Sequence, residues 1–357
     1  MLRPLLLPIL RASALALGFS VVTACGGSGP GGPGTDPPTD PGDGPPDDPT
    51  AGPPPAGMAL YAVDLDNRLL LLGTGNPGTP TRIVPITGLP ILKRIVGVDF
   101  RPSDGRLYGV GNDSRVYVLD TVTAAATPVA AEPFDPPIDI FEVHFGMSFD
   151  PVSDRIRLIV AESGANYEID PDDGTATLQA QVHYAATDPN AGATPSISGI
   201  GFAGASAPAT LHASSAPSLR GGPCEDLLYA IDADLAELVM SCDPDQGEFE
   251  SIGPIAVAIA RCSEIKVAPD GNIFAIVLAE SGNLLLVLDR LTGHATSQTP
   301  VNDDSPIQTF GFVPEAGEAS LRVLPAVGLG EVARTDPVAA SLAASSGRAI
   351  DCASARR

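Results

Sequence analysis

The chain has 357 residues and is strongly acidic, with 43 Asp and Glu against 20 Lys and Arg and a formal net charge of −23. This balance excludes nucleic acid as a partner, because phosphate binding needs clustered cationic side chains. The chain contains two lysines, Lys93 and Lys266. Small cations, cationic proteins and neutral glycans are all electrostatically compatible with such a surface, and solubility alone also explains the charge.

The first 25 residues predict an export signal. Arg3 and Arg11 precede a short apolar run, Ala12–Val22, and small residues precede Cys25. A charged start, a short apolar stretch and small residues before the cleavage site describe a secretory signal peptide. The apolar run is shorter than the roughly 20 residues that a transmembrane helix needs.

The segment around Cys25 resembles the lipobox of bacterial lipoproteins. The resemblance implies that residues 1–24 are removed and that Cys25 becomes the lipidated N-terminus, which makes the membrane a partner. A plain signal peptide that happens to contain a cysteine is the alternative. Gly26 follows the cysteine, and in a Gram-negative cell this resembles the signal that sends lipoproteins to the outer membrane. We therefore expect an exported protein that is lipid-anchored in the cell envelope.

Residues 25–57 are predicted to be the lipidated cysteine followed by a disordered tether. Gly, Pro, Asp, Thr and Ala dominate this stretch, and such a composition buries too little apolar surface to offset the entropy of ordering. At about 3 Å per residue in extended polyproline conformation, about 30 residues reach tens of ångströms from the membrane.

A loose repeat organises residues 58–325, the predicted folded domain. Copies begin at Gly97, Phe145, Gly199 and Cys262, and each contains apolar or alternating segments of four to six residues that end in Asp-Gly, Asn-Asp, Ser-Gly or Thr-Gly turns. These segments predict short antiparallel strands, and helical periodicity is close to absent. Repeated four-stranded units of this length predict an all-β fold, a β-propeller.

The two ends of the repeat region predict how the propeller closes. The first copy starts at Leu60 without its opening strand, whereas Phe310–Pro314 is an opening strand without a sequel. Joined together, these pieces make one blade and remove the exposed edges of an open sheet. The count is then five blades, or six if the insertion at 203–223 contains further strands. The Ala- and Ser-rich tail, 326–357, lacks the repeat and is expected to be peripheral.

Several segments resemble a bacterial propeller-like family, the domain of unknown function 4394. These segments are Phe145–Gly174, Gly97–Gly109, Tyr184–Gly192 and Leu228–Asp232. The resemblance extends over roughly residues 60–320, and it departs in the insertion, the cysteines and the tail. The family has no established activity, so the resemblance implies a fold and says nothing about chemistry.

Four cysteines remain after Cys25, an even number that suits an oxidising compartment. Two predicted strands form a hairpin that brings Cys224 nearly opposite Cys242, and a disulfide there would stabilise the fold by about 3 kcal/mol. Cys262 and Cys352 are then left to pair by elimination. A metal site is the rival interpretation, but there is no Cys-x-x-Cys spacing and histidine is scarce nearby.

Three residues are weak candidates for ligand binding. His144 directly precedes a predicted strand, where a propeller could bring it towards the axis, or it is simply a hydrogen-bonded histidine at a strand end. Arg155 and Arg157 alternate with apolar residues and are expected on one face of a strand. They either bind an anion or pair with neighbouring aspartates, and the acidity of the chain favours pairing.

Two acidic turns, Asp170–Gly174 and Asp243–Glu248, superficially resemble calcium loops. They lack EF-hand spacing, and Asp and Gly are ordinary turn residues. We therefore predict no cofactor, with calcium as the alternative.

No nucleophile elbow, phosphate loop or dinucleotide fingerprint occurs in a convincing context. The sequence favours a non-enzymatic binding or scaffold module, with a protein or glycan partner and no assigned catalytic residue. A metal-dependent hydrolase or lactonase with a cation in the central channel is the alternative, and it rests on fold analogy alone.

Overall fold

The structure is a computed structural model that describes residues 57–138, 144–204, 224, 227–260, 263–301 and 305–314. The predicted signal peptide, lipidation site, tail and nearly all of the tether and insertion lie outside the described residues, as do Cys262 and Cys352. Within the described part of the chain, no helix has the length and apolarity to cross a membrane.

The strands form five small sheets, numbered here as blades. Blade 1 contains β1 (Ala59–Asp64), β2 (Arg68–Gly73) and β3 (Arg82–Pro85). Blade 2 contains β4 (Ile95–Phe100), β5 (Leu107–Gly111), β6 (Arg115–Leu119) and β7 (Ala126–Pro128). Blade 3 contains β8 (Phe145–Phe149), β9 (Ile156–Val160), β10 (Asn166–Ile169) and β11 (Ala176–Leu178).

Blade 4 has an extra outer strand, β12 (His183–Tyr184), which pairs in parallel with β16. Its other strands are β13 (Ile197–Phe202), β14 (Leu228–Asp232), β15 (Glu237–Ser241) and β16 (Glu248–Pro254). Blade 5 contains β17 (Ser263–Val267), β18 (Ile273–Ala279), β19 (Gly282–Leu288) and β20 (Ala295–Pro300). The last strand, β21 (Ile307–Phe312), belongs to blade 1.

The five-bladed propeller predicted from the repeat is confirmed. Strand β21 pairs antiparallel with β1, with Leu60 opposite Phe312 and Ala62 opposite Phe310, so the two ends of the repeat region close the ring as expected. Helix is confined, among the described residues, to a single 3-10 turn at Pro244–Gln246. The described residues contain five sheets, and the six-blade alternative is therefore wrong for this part of the chain.

Apolar side chains fill the space between adjacent blades. The interface of blades 2 and 3, for example, contains Tyr108, Met147, Leu158 and Tyr167, all of them buried. Comparable clusters separate each remaining pair of neighbouring blades. Because alternate residues of a strand face opposite sides of its sheet, one strand supplies both interfaces of its blade. This arrangement explains why the apolar segments are nearly continuous.

Candidate functional site: the axial polar cluster

The free edges of five innermost strands meet at the propeller axis. Each sheet has one terminal strand on the axial side, and these strands are β4, β8, β13, β17 and β21. Neighbouring strands of this set contact each other around the ring. Each strand is hydrogen-bonded on one side only, so its other edge presents N–H and C=O groups towards the axis. Buried backbone groups must find partners, and here side chains supply them.

The side chains come from two positions of a hexapeptide repeated in every inner strand. The five copies are Gly97–Pro102, Gly146–Pro151, Gly199–Gly204, Glu264–Pro269 and Thr309–Pro314. The first position holds glycine in three copies, with Glu264 and Thr309 in the others. The third position holds Asp99, Ser148 and Lys266, with glycine in the remaining two copies. We call these five polar residues the axial cluster.

Glu264 connects three blades. Its Oε1 accepts hydrogen bonds from the backbone N–H of Ile200 at 2.9 Å and of Ile265 at 3.1 Å, and its Oε2 accepts one from Thr309 Oγ1 at 3.1 Å. The Thr309 hydroxyl oxygen in turn accepts a hydrogen bond from the N–H of Val98 at 3.0 Å. One carboxylate and one hydroxyl thus satisfy axial edges of blades 2, 4 and 5.

Lys266 satisfies carbonyl groups of the same edges. Its Nζ donates hydrogen bonds to the backbone oxygens of Met147 and of Ile200, the latter at 3.0 Å. The ammonium also lies 3.4 Å from Glu264 Oε1. Lys266 is 3% exposed, so one of the two lysines of this acidic chain is buried at the axis between blades 3 and 4.

Asp99 and Ser148 complete the cluster between blades 2 and 3. Asp99 Oδ2 accepts hydrogen bonds from Ser148 Oγ and from the N–H of Phe149, both at 3.0 Å. The Ser148 hydroxyl oxygen accepts a weaker one from the N–H of Phe202 at 3.4 Å. Together the five side chains contact every inner strand of the ring.

Glycines at the remaining axial positions let the strands approach closely. A Cβ on Gly199 would lie 2.6 Å from Glu264 Cα, and one on Gly201 would lie 2.9 Å from Lys266 Cα. On the far side of the ring, a Cβ on Gly311 would lie 3.0 Å from Asp99 Cα. The glycines therefore allow the inner strands to approach within backbone contact of the residues that carry the polar side chains.

Burial controls the electrostatics of the cluster. It raises the pKa of the Glu264 carboxyl to about 7, although Lys266 and the hydrogen bonds to the carboxylate act in the opposite direction. Burial also raises the pKa of Asp99, again against the charge of Lys266. Removing a carboxylate from water disfavours its charged form, and a single ammonium compensates two acids only in part.

The axial cluster is self-contained. Its ammonium and carboxylates are already engaged with backbone groups and with each other, so they hold the inner strands together. Among the described residues, no group of three His, Cys, Asp or Glu side chains has the arrangement of a metal site. The geometry is that of an internal polar brace.

A separate groove of about 1020 Å³ lies alongside blade 2. Its walls include Tyr61 of blade 1, Tyr108 and Asp120 of blade 2, and Asp172 of blade 3. Aromatic, hydroxyl and carboxylate side chains all line it. It is distinct from the axial cluster.

The structure pairs His144 with Glu162. The residue is buried immediately before β8, and its Nδ1 forms a hydrogen bond with the Glu162 carboxylate. Burial would raise the pKa of Glu162, but the contact with His144 outweighs burial and the pKa is lowered. His144 thus has the hydrogen-bonded arrangement that the sequence offered as one of its two interpretations.

Both candidate arginines contact acidic residues. Arg155 forms an ion pair with Asp170 within blade 3. Arg157 is buried, donates a hydrogen bond to Asn166 at 3.2 Å and forms an ion pair with Asp245, which precedes blade 4's β16. The second pair therefore joins neighbouring blades, whereas the first does not.

The cysteines and acidic turns have structural roles in the described residues. A disulfide joins Cys224 to Cys242, with 5.0 Å between their Cα atoms. In the first acidic turn, Asp170 Oδ1 accepts a hydrogen bond from the N–H of Asp172 at 2.8 Å. Asp173 Oδ1 likewise accepts a hydrogen bond from the N–H of Thr175 at 2.9 Å. These carboxylates are thus engaged in turn hydrogen bonds.

The axial cluster was not among the sites predicted from the sequence, although the sequence contains a signal for it. The hexapeptides are recognisable as repeats, but their first and third positions vary from Gly to Glu, Thr, Asp, Ser and Lys. Aligning the five copies would have shown polar residues confined to two positions of otherwise apolar strands. A charged residue in a buried strand, such as Lys266, is itself such a signal.

Five four- or five-stranded blades closed around a braced axis define the class of protein: a five-bladed β-propeller. The chain belongs to the family described as "Domain of unknown function (DUF4394)", whose model matches residues 68–311. No curated protein sequence matches the chain.

Solved structures match the chain at low identity and with TM-scores below 0.5. A nidogen/laminin complex matches with 12% identity and a TM-score of 0.41, covering 72% of this chain and 99% of that chain. A calcium-binding protein, regucalcin, from Agrobacterium tumefaciens matches with 14% identity and a TM-score of 0.39, covering 73% and 80%. A protein of unknown function from Bacteroides caccae matches with 10% identity and a TM-score of 0.40, covering 73% and 100%.

Proposed function

We propose that this protein is an exported, lipid-anchored β-propeller that acts as a non-enzymatic binding or scaffold module. The anchor rests on the sequence around Cys25, and the observation that carries the non-enzymatic role is the position of Lys266. Its ammonium lies among the inner strands at the axis and is hydrogen-bonded to the backbone of two blades. The axis is therefore occupied by a structural brace of the protein itself.

The same observation counts against the alternative, a hydrolase or lactonase with a cation in the central channel. A divalent cation near the axis would be repelled by the buried ammonium, because like charges interact strongly where the effective dielectric constant is low. The carboxylates of Glu264 and Asp99 are already engaged with N–H and O–H donors. A cation would have to displace all of these contacts.

A ligand would bind on the outer surface of the propeller. The groove alongside blade 2 supports this idea, because it combines the Tyr61 and Tyr108 rings with Asp120 and nearby threonines. Ligand sites are usually concave and combine apolar walls with a few polar groups. A protein segment or a glycan fits this chemistry, and the acidity of the chain argues against nucleic acid.

The prediction that the axis holds no divalent metal and no catalytic site can be tested on residues 25–357. We expect elemental analysis to find no stoichiometric divalent metal, and the thermal unfolding midpoint to be the same with calcium and with chelator. A panel of esters, lactones and glycosides should not be turned over. Turnover that Asp99→Asn abolishes while Glu280→Gln preserves it would replace the proposal with the hydrolase alternative.

The anchor is tested separately through Cys25. Cells given a labelled fatty acid should incorporate the label into the full chain, and Cys25→Ala should lose the label. Cys352→Ala, which removes a cysteine from the tail, is the matched control and should keep it. Labelling that survives Cys25→Ala would contradict the lipid anchor at this position.

A further inference from the structure

The connection between blades 1 and 2 carries an unusual apolar projection. Ile91 is 90% exposed and Leu92 is 93% exposed, more than any other large hydrophobic residue in the described part of the chain. They occupy a tight turn in which the N–H of Lys93 donates a hydrogen bond to the Pro90 carbonyl oxygen at 3.0 Å. We call residues Pro90–Lys93 the projecting turn.

Leu92 is unfavourable there for a second, independent reason. Its φ is +63°, in the left-handed region, which costs a non-glycine residue on the order of 1 kcal/mol or more. Glycine or asparagine suits such a turn position better, and a polar side chain would be better hydrated. A leucine that is strained and also fully exposed satisfies neither local rule, and such exceptions concentrate at functional sites.

The base of the projecting turn is fixed to both blades. Thr87 forms a β-bridge with Ala125 of blade 2, and Leu89 packs against the apolar cluster between blades 1 and 2. At the other end, the N–H of Ile95 donates a hydrogen bond to Asn67 Oδ1 at 3.0 Å. Only the tip leaves the body of the protein, so the two aliphatic side chains are held outward.

Basic residues follow the tip directly. Lys93 and Arg94, both half-buried, adjoin Leu92 in a chain whose net charge is −23. The Arg94 Nε is buried, so the proposed cationic contact falls mainly to Lys93, and the other lysine is buried at the axis. An aliphatic tip with cationic residues behind it matches the layers of a bilayer interface, where acyl chains lie beneath phosphate groups. Lysine side chains can also extend along apolar surface and keep the ammonium at the phosphates.

We propose that the projecting turn inserts Ile91 and Leu92 into a membrane surface that contains anionic phospholipid. Two aliphatic residues bind a bilayer weakly, but a flexible linker of about 30 residues gives a tethered domain an effective concentration in the millimolar range. The biological role of the insertion thus rests on the proposed lipid anchor at Cys25. The turn would then fix the orientation of the propeller on the membrane.

Vesicle binding can be measured on a chain that lacks the lipid anchor. A chain that begins at residue 25 and carries Cys25→Ser contains all twenty-one strands of the described propeller. The protein has no tryptophan, so Leu92→Trp introduces a single tryptophan whose emission reports on this position. We expect its emission to shift to shorter wavelength with vesicles of phosphatidylethanolamine and phosphatidylglycerol. Val152→Trp, at a side chain that is 63% exposed on blade 3, is the matched control and should not shift.

Vesicle co-sedimentation provides the second measurement. The double variant Ile91→Ser, Leu92→Asn should reduce binding at least about fivefold, whereas Val152→Ser should leave binding unchanged. Asparagine tolerates the left-handed conformation, so the variant should keep its thermal unfolding midpoint. Lys93→Glu should weaken binding to anionic vesicles and leave binding to purely zwitterionic vesicles unaltered.

Three outcomes would overturn the inference: no vesicle binding by the parent chain, equal binding by the double variant, or a shift of the Val152→Trp emission equal to that of Leu92→Trp. A double variant that abolishes self-association, in a chain that binds no vesicles, would assign the turn to a second copy instead. Failure of fatty-acid labelling at Cys25 would contradict the lipid anchor and would not affect the conclusion from vesicle binding. The two proposals therefore fail separately.

Discussion

Lys266 is the residue on which the axial cluster most depends. Its ammonium contacts backbone oxygens of blades 3 and 4 and compensates the Glu264 carboxylate. We expect Lys266→Met to lower the free energy of unfolding by about 3–5 kcal/mol, because it leaves a buried carboxylate without its partner. Denaturant unfolding would measure this loss. Lys93→Met, at the turn between blades 1 and 2, is the control and should change stability by less than about 0.5 kcal/mol.

A double substitution separates charge from packing. Lys266→Met combined with Glu264→Gln removes both charges, and it should be more stable than Lys266→Met alone. An additive loss in the double variant would show that the two side chains are not coupled.

Stability should also depend on pH through Glu264. Its pKa is raised from 4.5 to about 7 in the folded protein, so the folded state holds a proton that the unfolded state releases in this range. The contribution is complete below about pH 4.5 and is lost as the pH rises through about 7. We expect the free energy of unfolding to fall by as much as about 3 kcal/mol over this range from Glu264.

Glu264→Gln should flatten this pH dependence, because the amide does not titrate. Denaturant unfolding between pH 4.5 and 8 measures it, with Glu280→Gln at an exposed position as the control. If the free energy of unfolding changed with pH equally in Glu264→Gln and in the parent chain, Glu264 would not be the source of the pH dependence. Asp99, whose pKa is also raised, should contribute a pH dependence of the same sign.

At the scale of the strand, the packing of the axis depends on the absence of side chains. On β13, a Cβ at Gly199 would lie 2.6 Å from Glu264 Cα and 2.7 Å from the Ser263 carbonyl oxygen. Both contacts involve backbone, which cannot move without shifting β17. We expect Gly199→Ala to destabilise the protein by at least about 2 kcal/mol, since overpacking in a rigid core is costly.

Gly204, just beyond β13, is the matched position. A Cβ there would meet nothing within 4 Å, so Gly204→Ala should be neutral or slightly stabilising. Thermal unfolding of the two variants gives the comparison. Equal thermal unfolding midpoints for the two variants would show that β13 and β17 can move apart without loss of stability.

For the whole molecule, the ring depends on β21. This strand pairs with β1 and carries Thr309, which contacts Glu264 and the N–H of Val98. A chain that ends after residue 306 should therefore lose cooperative unfolding, whereas one that ends after residue 314 should keep it. Both lack the tail and Cys352, so they differ only by β21 and its flanks. Cooperative unfolding of the shorter chain, followed by circular dichroism, would contradict the need for closure.

The architecture could be predicted from sequence because its signals are local. Turn residues and short apolar segments recur with each blade, and the unmatched ends at Leu60 and Phe310 implied the closing pair. The contacts within the axial cluster could not be predicted in this way, because Glu264 and Thr309 lie 45 residues apart and meet only after the ring closes. The partner of Arg157, Asp245, is likewise 88 residues away, and alternation along one strand does not identify it.

The closure of the ring also fixes when folding can finish. Blade 1 begins with the first strand of the propeller but takes its innermost strand from the last. The ribosome must therefore release almost the whole domain before the axis can be assembled, and such distant pairing is slow. The export that we propose would benefit from this order, because a chain whose ring is still open can pass through a translocation channel and close its propeller afterwards.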